Sequence, residues 1–307
     1  MRLAPPPLPG GGAGGQPVSW VVLLVLLSAT CVAVDTVLAR IVTRDVDPIV
    51  LVFFRNLFGL AAVLPWLWRL GRAGLVTRHW GLHVSRAGLK IVGLGLFFWG
   101  ISRIPLAEAT AIAFATPLFT AAGAALLLGE SLRRGRFLAI LIGFVGVLVI
   151  IRPGLLAPSQ GALAVLASTA LLAAIALIAK VLARHDTASV TVAINLALSV
   201  PLALLPALFV WTTPSWSALG IMAVQGAIGA FSQLCMMRAF ALADASLVQP
   251  LDFARLPIVA VLAYFAFGQV PDEWTWAGAA VICVAVLLLV RSGRGAGATP
   301  AGERSEG

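Results

Sequence analysis

The sequence predicts an all-α integral membrane protein of ten transmembrane helices, arranged as two inverted five-helix repeats. Three observations carry that prediction. Of the 307 residues 61% are hydrophobic and only 11% are charged, against roughly a quarter charged in a soluble domain. Apolar runs of membrane-spanning length recur along the whole chain, and no polar gap between them is long enough for a catalytic domain. The second half of the chain also repeats motifs of the first in the same order.

A hydrocarbon core of about 30 Å takes about 20 apolar helical residues to cross, because each backbone polar group must be satisfied inside the segment. Ten such runs are present: 18–40, 48–70, 82–102, 106–128, 136–151, 160–182, 188–211, 217–240, 244–268 and 274–291. The first follows a Pro- and Gly-rich stretch with no small-residue cleavage site after it, so it reads as a retained span. The fifth and tenth are short enough to suggest re-entrant segments, but their match to each other argues for two true spans. All are Ala- and Leu-rich and too long for barrel strands. The expected organisation is a disordered cytoplasmic segment 1–17, a first repeat 18–152, a linker 153–159, a second repeat 160–291 and a disordered cytoplasmic tail 292–307.

The net charge of +9 does not imply a nucleic-acid partner, because the basic residues sit mostly at the ends of apolar runs. With the N-terminus inside, fifteen of the 21 Lys and Arg fall on the cytoplasmic side and four (Arg40, Arg44, Arg103, Arg152) on the other. The positive-inside rule therefore places both termini in the cytoplasm, and the lipid bilayer is the expected solvent. Cys31, Cys235 and Cys283 lie within spans without metal or disulfide spacing and read as packing residues.

The repeat is the most specific signal. Leu106-Ala107-Glu108-Ala109 recurs as Leu242-Ala243-Asp244-Ala245, Gly129-Glu130 as Gly268-Gln269, Asn56-Leu57 as Asn195-Leu196, and Arg152 with Gly154 as Arg291 with Gly293. Five spans per half is an odd number, so the second half enters the membrane from the opposite side. Inverted repeats around a midplane site suit alternating access in secondary transporters. A channel of the same architecture is the alternative reading. An intramembrane enzyme is a third, for which no hydrolase elbow, phosphate loop or His-Glu-x-x-His motif is present.

Phe53-Phe54-Arg55-Asn56, Pro105-Leu106-Ala107-Glu108-Ala109-Thr110, Leu128-Gly129-Glu130, Gly143-Phe144-Val145-Gly146 and Arg152-Pro153-Gly154 occur in order. Arg238-Ala239-Phe240 and Phe267-Gly268-Gln269-Val270-Pro271-Asp272 follow in the second half. In these motifs the chain resembles EamA-type members of the drug/metabolite transporter superfamily over nearly all of residues 18–291. The resemblance implies a ten-helix inner-membrane carrier of a small molecule such as an amino acid, riboflavin or S-adenosylmethionine. Gln269 departs from the Glu of position 130, which argues against two symmetric carboxylates.

Ionisable groups inside spans are costly and therefore candidates for function. Asp35 and Arg55 lie in the first and second runs, Asp252 and Arg255 in the ninth. Their symmetry mates are apolar or neutral, Ile175 for Asp35 and Ile194 for Arg55. A site for an asymmetric solute need not repeat, whereas scaffold should. Gln249, Asp252 and Arg255 fall along one helical stripe, either lining a cavity or forming a structural ion pair, and Pro250 and Pro257 free carbonyls beside them. Asp35 and Arg55 offer the same two readings. A titrating Asp35 or Asp252 would permit proton coupling. Trp99, with Phe98, is placed either to stack on a flat solute or to anchor at the interface. Gln225 and Gln233 share a face of the eighth run. Glu108 and Asp244 suit positive helix N-termini and read as structural. His79, His83 and His185 lie near basic loops without ligand spacing, so no metal and no cofactor is expected.

Overall fold

The structure, a computed structural model, describes residues 18–70, 77–128, 134–152, 159–182, 185–186, 188–242, 248 and 251–294. Every regular element among them is helical: α1 (Val18–Val42), α2 (Pro48–Leu70), α3 (Trp80–Ile101), α4 (Leu106–Ala113), α5 (Thr116–Leu128), α6 (Arg134–Ile151), α7 (Gln160–Leu182), α8 (Ala188–Phe209), α9 (Trp216–Leu242), α10 (Arg255–Phe267) and α11 (Glu273–Arg294). Counting α4 and α5 together, six spans are long and apolar enough to cross a membrane, and four shorter apolar helices complete ten. Large apolar side chains such as Leu126, Phe209 and Phe265 point outward, as expected where lipid rather than water covers the surface.

The helix pairs obey a pseudo-two-fold. With span n of the first half equivalent to span n+5, α3 packs on α7 and its mate α1 on α9, while α2 packs on α9 and α3 on α8. α10, the mate of α5, packs on α1 as α5 packs on α7, and the pairs α6 with α11 and α2 with α8 map onto themselves. Glycines let the seams close. A Cβ on Gly278 would lie 2.7 Å from the carbonyl oxygen of Gly146, and one on Gly100 2.9 Å from that of Gly161. Small residues at such contacts allow dispersion to hold helices together where lipid offers no hydrophobic drive.

Two spans expected to be continuous are broken. The fourth turns at Phe114–Ala115 and the ninth at Phe253–Ala254. Pro117 has no N–H to give to Ala113, four residues back, and that carbonyl instead accepts the Thr116 hydroxyl at 2.7 Å. Pro257 likewise leaves Phe253 unserved, and the Phe253 carbonyl accepts Leu256 N–H in a tighter turn at 3.0 Å. The breaks meet: Phe114 and Phe253 stack with centroids 4.3 Å apart and planes at 17°. They are related by the same sequence offset as Gly129 and Gly268, so the pseudo-axis passes between two broken helices at their breaks.

Candidate functional site

Broken helices expose backbone and side chains at mid-membrane only where a cavity or protein receives them. Here a cavity of about 290 Å³ opens beside the crossing, with walls from α1, α2, α3, α4, α5, α7, α9 and α10. Its size is near the lower end of the roughly 300–1,000 Å³ typical of small-molecule sites. Phe97, Phe98 and Leu94 form an apolar wall, Thr110 and Thr116 supply hydroxyls from either side of the first break, and two guanidiniums, of Arg55 and Arg255, reach its surface.

The two arginines are held differently. Arg55 Nη2 donates to Asp35 Oδ2 at 2.9 Å and Nε to Asp35 Oδ1 at 3.3 Å, the two-pronged geometry that matches guanidinium to carboxylate. Gln225, fully buried, braces the same carboxylate by donating from Nε2 to Asp35 Oδ1 and to the Asp35 carbonyl, both at 3.1 Å. Arg55 also lies over the Phe98 ring at 5.8 Å, and a Cβ on Gly229 would come within 3.0 Å of its Nη2. Glycine there is the space the guanidinium occupies. Arg255 makes one longer contact, Nη2 to Asp252 Oδ2 at 3.6 Å, and rests on Phe114 at 4.7 Å. Its Nε is buried without a partner. Arg255 therefore has donor capacity left for a ligand, whereas Arg55 is largely spent.

Of the residues the sequence proposed, Asp35, Arg55 and Arg255 line the cavity, as does Gln233. Gln225 supports Asp35 from behind, and Asp252 touches the site through Arg255. Trp99 points elsewhere: Arg103 covers its ring at 3.6 Å, while its neighbour Phe98 faces the cavity. Gln249, Pro250 and Asp244 fall outside the described residues. The two threonines and Phe97 carried no individual signal, because a hydroxyl or ring in an apolar run looks like packing until the break is known. Lys90, counted in the sequence among residues marking the cytoplasmic side, sits mid-helix in α3, donating to Asn56 Oδ1 at 2.9 Å and Ser199 Oγ at 3.3 Å.

The two ends of the bundle are tied by unlike clusters. At one end Thr77 and His83 meet Asp186 Oδ2 at 2.7 and 2.8 Å, and His79 stacks on His185 at 4.4 Å. Burial would raise the Asp186 carboxyl, but the hydrogen bonds from His83 and Thr77 and the histidine charges outweigh it and hold it below its ordinary value. The three histidines do gather, yet no described group of His, Cys, Asp or Glu has the arrangement of a metal site. At the other end Arg152, in the left-handed region at φ 51°, bonds to Asp272. Burial again acts upward on Asp272, and Thr275 and Arg152 bring it below the ordinary value. Gln269 Oε1 accepts Leu106 N–H at 3.1 Å, so the residue that departs from Glu130 caps α4 across the pseudo-axis.

Residues 19–152 match the EamA-like transporter family. The chain is 32% identical to a riboflavin transporter of Vibrio cholerae over 235 residues, 76% of this chain and 79% of that one. It is 27% identical to an S-adenosylmethionine uptake transporter of Rickettsia prowazekii over 267 residues, 87% and 91% of the two chains. One crystal structure of 22% identity superposes with a TM-score of 0.60 over 89% of this chain and 98% of its own, and so shares the fold.

Proposed function

The chain belongs to the EamA-like transporter family of the drug/metabolite transporter superfamily, and from that membership we propose that it carries a flat, polar organic metabolite by alternating access. It is a multi-pass membrane transporter of small molecules and not an enzyme. The observation that supports the substrate class is the pairing of each cavity guanidinium with an aromatic ring, Arg55 with Phe98 and Arg255 with Phe114. A heteroaromatic ring system bearing carbonyls stacks on such walls and accepts N–H from the Arg255 guanidinium, whose single longer contact to Asp252 leaves donors unused. Riboflavin, for which one relative is named, has such a ring system, and S-adenosylmethionine, for which another is named, carries a purine.

In this reading Arg255, Phe98 and Thr116 contact the solute. Asp35 and Gln225 hold Arg55 in place, and Asp252 limits the swing of Arg255. The distribution of basic residues supports both termini in the cytoplasm and, with bacterial relatives, an inner-membrane location. Counterflow in proteoliposomes tests the proposal. External riboflavin or S-adenosylmethionine should accelerate exit of the same labelled solute, and Arg255→Gln should cut that exchange at least tenfold. No exchange with either solute, or exchange indifferent to Arg255→Gln and to Phe98→Ala alike, would remove this cavity as the substrate site.

A further inference from the structure

One and about two helical turns from Leu94 of the cavity wall, on its Trp80 side, α3 presents Lys90 and Arg86 to α8. The facing residues of α8 are Thr191, Asn195 and Ser199, also one turn apart. Among the described residues Lys90 Nζ meets only neutral oxygens, Asn56 Oδ1 and Ser199 Oγ. The charges that act on it, Arg55 and Arg86, both have its own sign. Arg86 reaches the Thr191 carbonyl at 3.5 Å with Nη1, and its Nε is buried and unpartnered. Asn195 is 8% exposed, and its Nδ2 has no acceptor. Among the described residues no carboxylate is hydrogen-bonded or ion-paired to any of these groups.

Two cations and two idle N–H donors within a membrane span are unfavourable unless something negative answers them. Leu94 of the cavity wall stands one turn from Lys90 on the same face of α3, so the cluster adjoins the cavity along α3. We infer that Arg86, Lys90 and Asn195 form a subsite for an oxyanion, a carboxylate or phosphate carried by the transported solute, whose ring lies in the cavity beside Arg55. The inference rests on the reading of that cavity as the carrier's solute site and adds the charge of the solute to it. Waters would satisfy the donors, whereas an oxyanion satisfies them and balances the positive charge as well.

Two probes separate the possibilities: inorganic phosphate against chloride at matched ionic strength, and riboflavin against riboflavin 5′-phosphate. Both are read by thermal shift and equilibrium binding on the full chain in phosphatidylcholine nanodiscs. Phosphate should stabilise the wild type, and the phosphorylated flavin should bind roughly tenfold tighter than riboflavin, the factor expected for one charge-assisted contact. Lys90→Gln should erase the preference. Should that variant fold poorly, Asn195→Asp supplies a resident carboxylate; it should raise the apparent melting temperature and abolish both phosphate effects. Equal binding of the two flavins with no stabilisation by phosphate overturns the subsite. Binding of neither flavin with the phosphate effect intact sinks the flat-solute reading and leaves the oxyanion site standing. Stabilisation seen only with added phosphatidylglycerol, and indifferent to soluble phosphate, assigns the site to a lipid headgroup and overturns its assignment to the solute.

Discussion

At the α6–α11 seam a Cβ on either Gly146 or Gly278 would strike the other helix's backbone, and at the α3–α7 seam Gly100 and Gly161 stand in the same relation. Phe114 and Phe253, equivalent residues of the two halves, stack on one another. In the cavity nothing of this kind repeats: where the first half has Arg55 and Asp35, the second has Ile194 and Ile175. Close packing constrains both copies of a duplicated fold equally, since both must seal against lipid and slide against each other. The solute meets both halves at once but is itself asymmetric, so it constrains the copies differently.

The sharpest way to break that contrast is to give the first half the neutrality of the second. Arg55→Gln leaves the Asp35 carboxylate, braced by Gln225, without its counter-charge. Removing one partner of a buried pair costs about 3–5 kcal/mol; here the cavity wets the pair, so about 3 kcal/mol is expected in reversible unfolding, with flux abolished. The double variant Asp35→Asn/Arg55→Gln should regain most of the stability and none of the transport. Recovery of flux in the double variant would show that the pair is scaffold after all.

The spans, the inverted repeat and the intramembrane charges were legible in the sequence because each has a pattern: length, offset, or a charge where none is tolerated. The site's geometry was less so. Asp35 and Arg55 lie 20 residues apart and announce themselves by charge, but nothing along the chain says that Gln225 closes on them across 190 residues. The breaks at Phe114 and Phe253 were hidden because prolines are tolerated inside membrane helices, as Pro65, Pro201 and Pro206 are here, so proline alone does not mark a break. Trp99 and Phe98 differ by 100° of helix rotation, and amphipathic phase is weak evidence where lipid and core are both apolar.

Packing effects come next in size. Gly278→Val at the α6–α11 seam places carbon against Gly146 oxygen and Ile150, and overpacking of this sort costs about 1–3 kcal/mol. Gly88→Ala in α3, where an added Cβ meets nothing within 4 Å, should instead stabilise by up to about 1 kcal/mol through helix propensity. Thermal unfolding of the pair in one detergent checks both signs. Equal behaviour would mean that the seam relaxes and the repeat's glycines are not held by contact. Phe253→Ala tests the same axis more gently. It removes one ring of the Phe114 stack, worth about 0.5–1.5 kcal/mol beyond area, and frees the platform on which Arg255 rests, so solute affinity should fall alongside stability.

The smallest effect belongs to the end of the bundle where Arg152 meets Asp272. Arg152 is equivalent to Arg291, which lies inside the regular helix α11, so this link between the halves has no counterpart among the described residues. Asp272 is held below its ordinary value when folded, with Thr275 and Arg152 outweighing burial. A carboxyl depressed on folding contributes stability that is complete above its unfolded value of about 4 and is lost as pH falls through the lower folded value. Because its side chain is 41% exposed, the contribution is at most about 1 kcal/mol. Asp272→Asn should therefore lower the melting temperature slightly at pH 7 and converge on the wild type in acid. No gap at pH 7 would assign the contribution to the cap on Thr275 N–H, which asparagine supplies nearly as well, and a gap that stays constant from pH 7 to about pH 3 would likewise exclude the ion pair as its source.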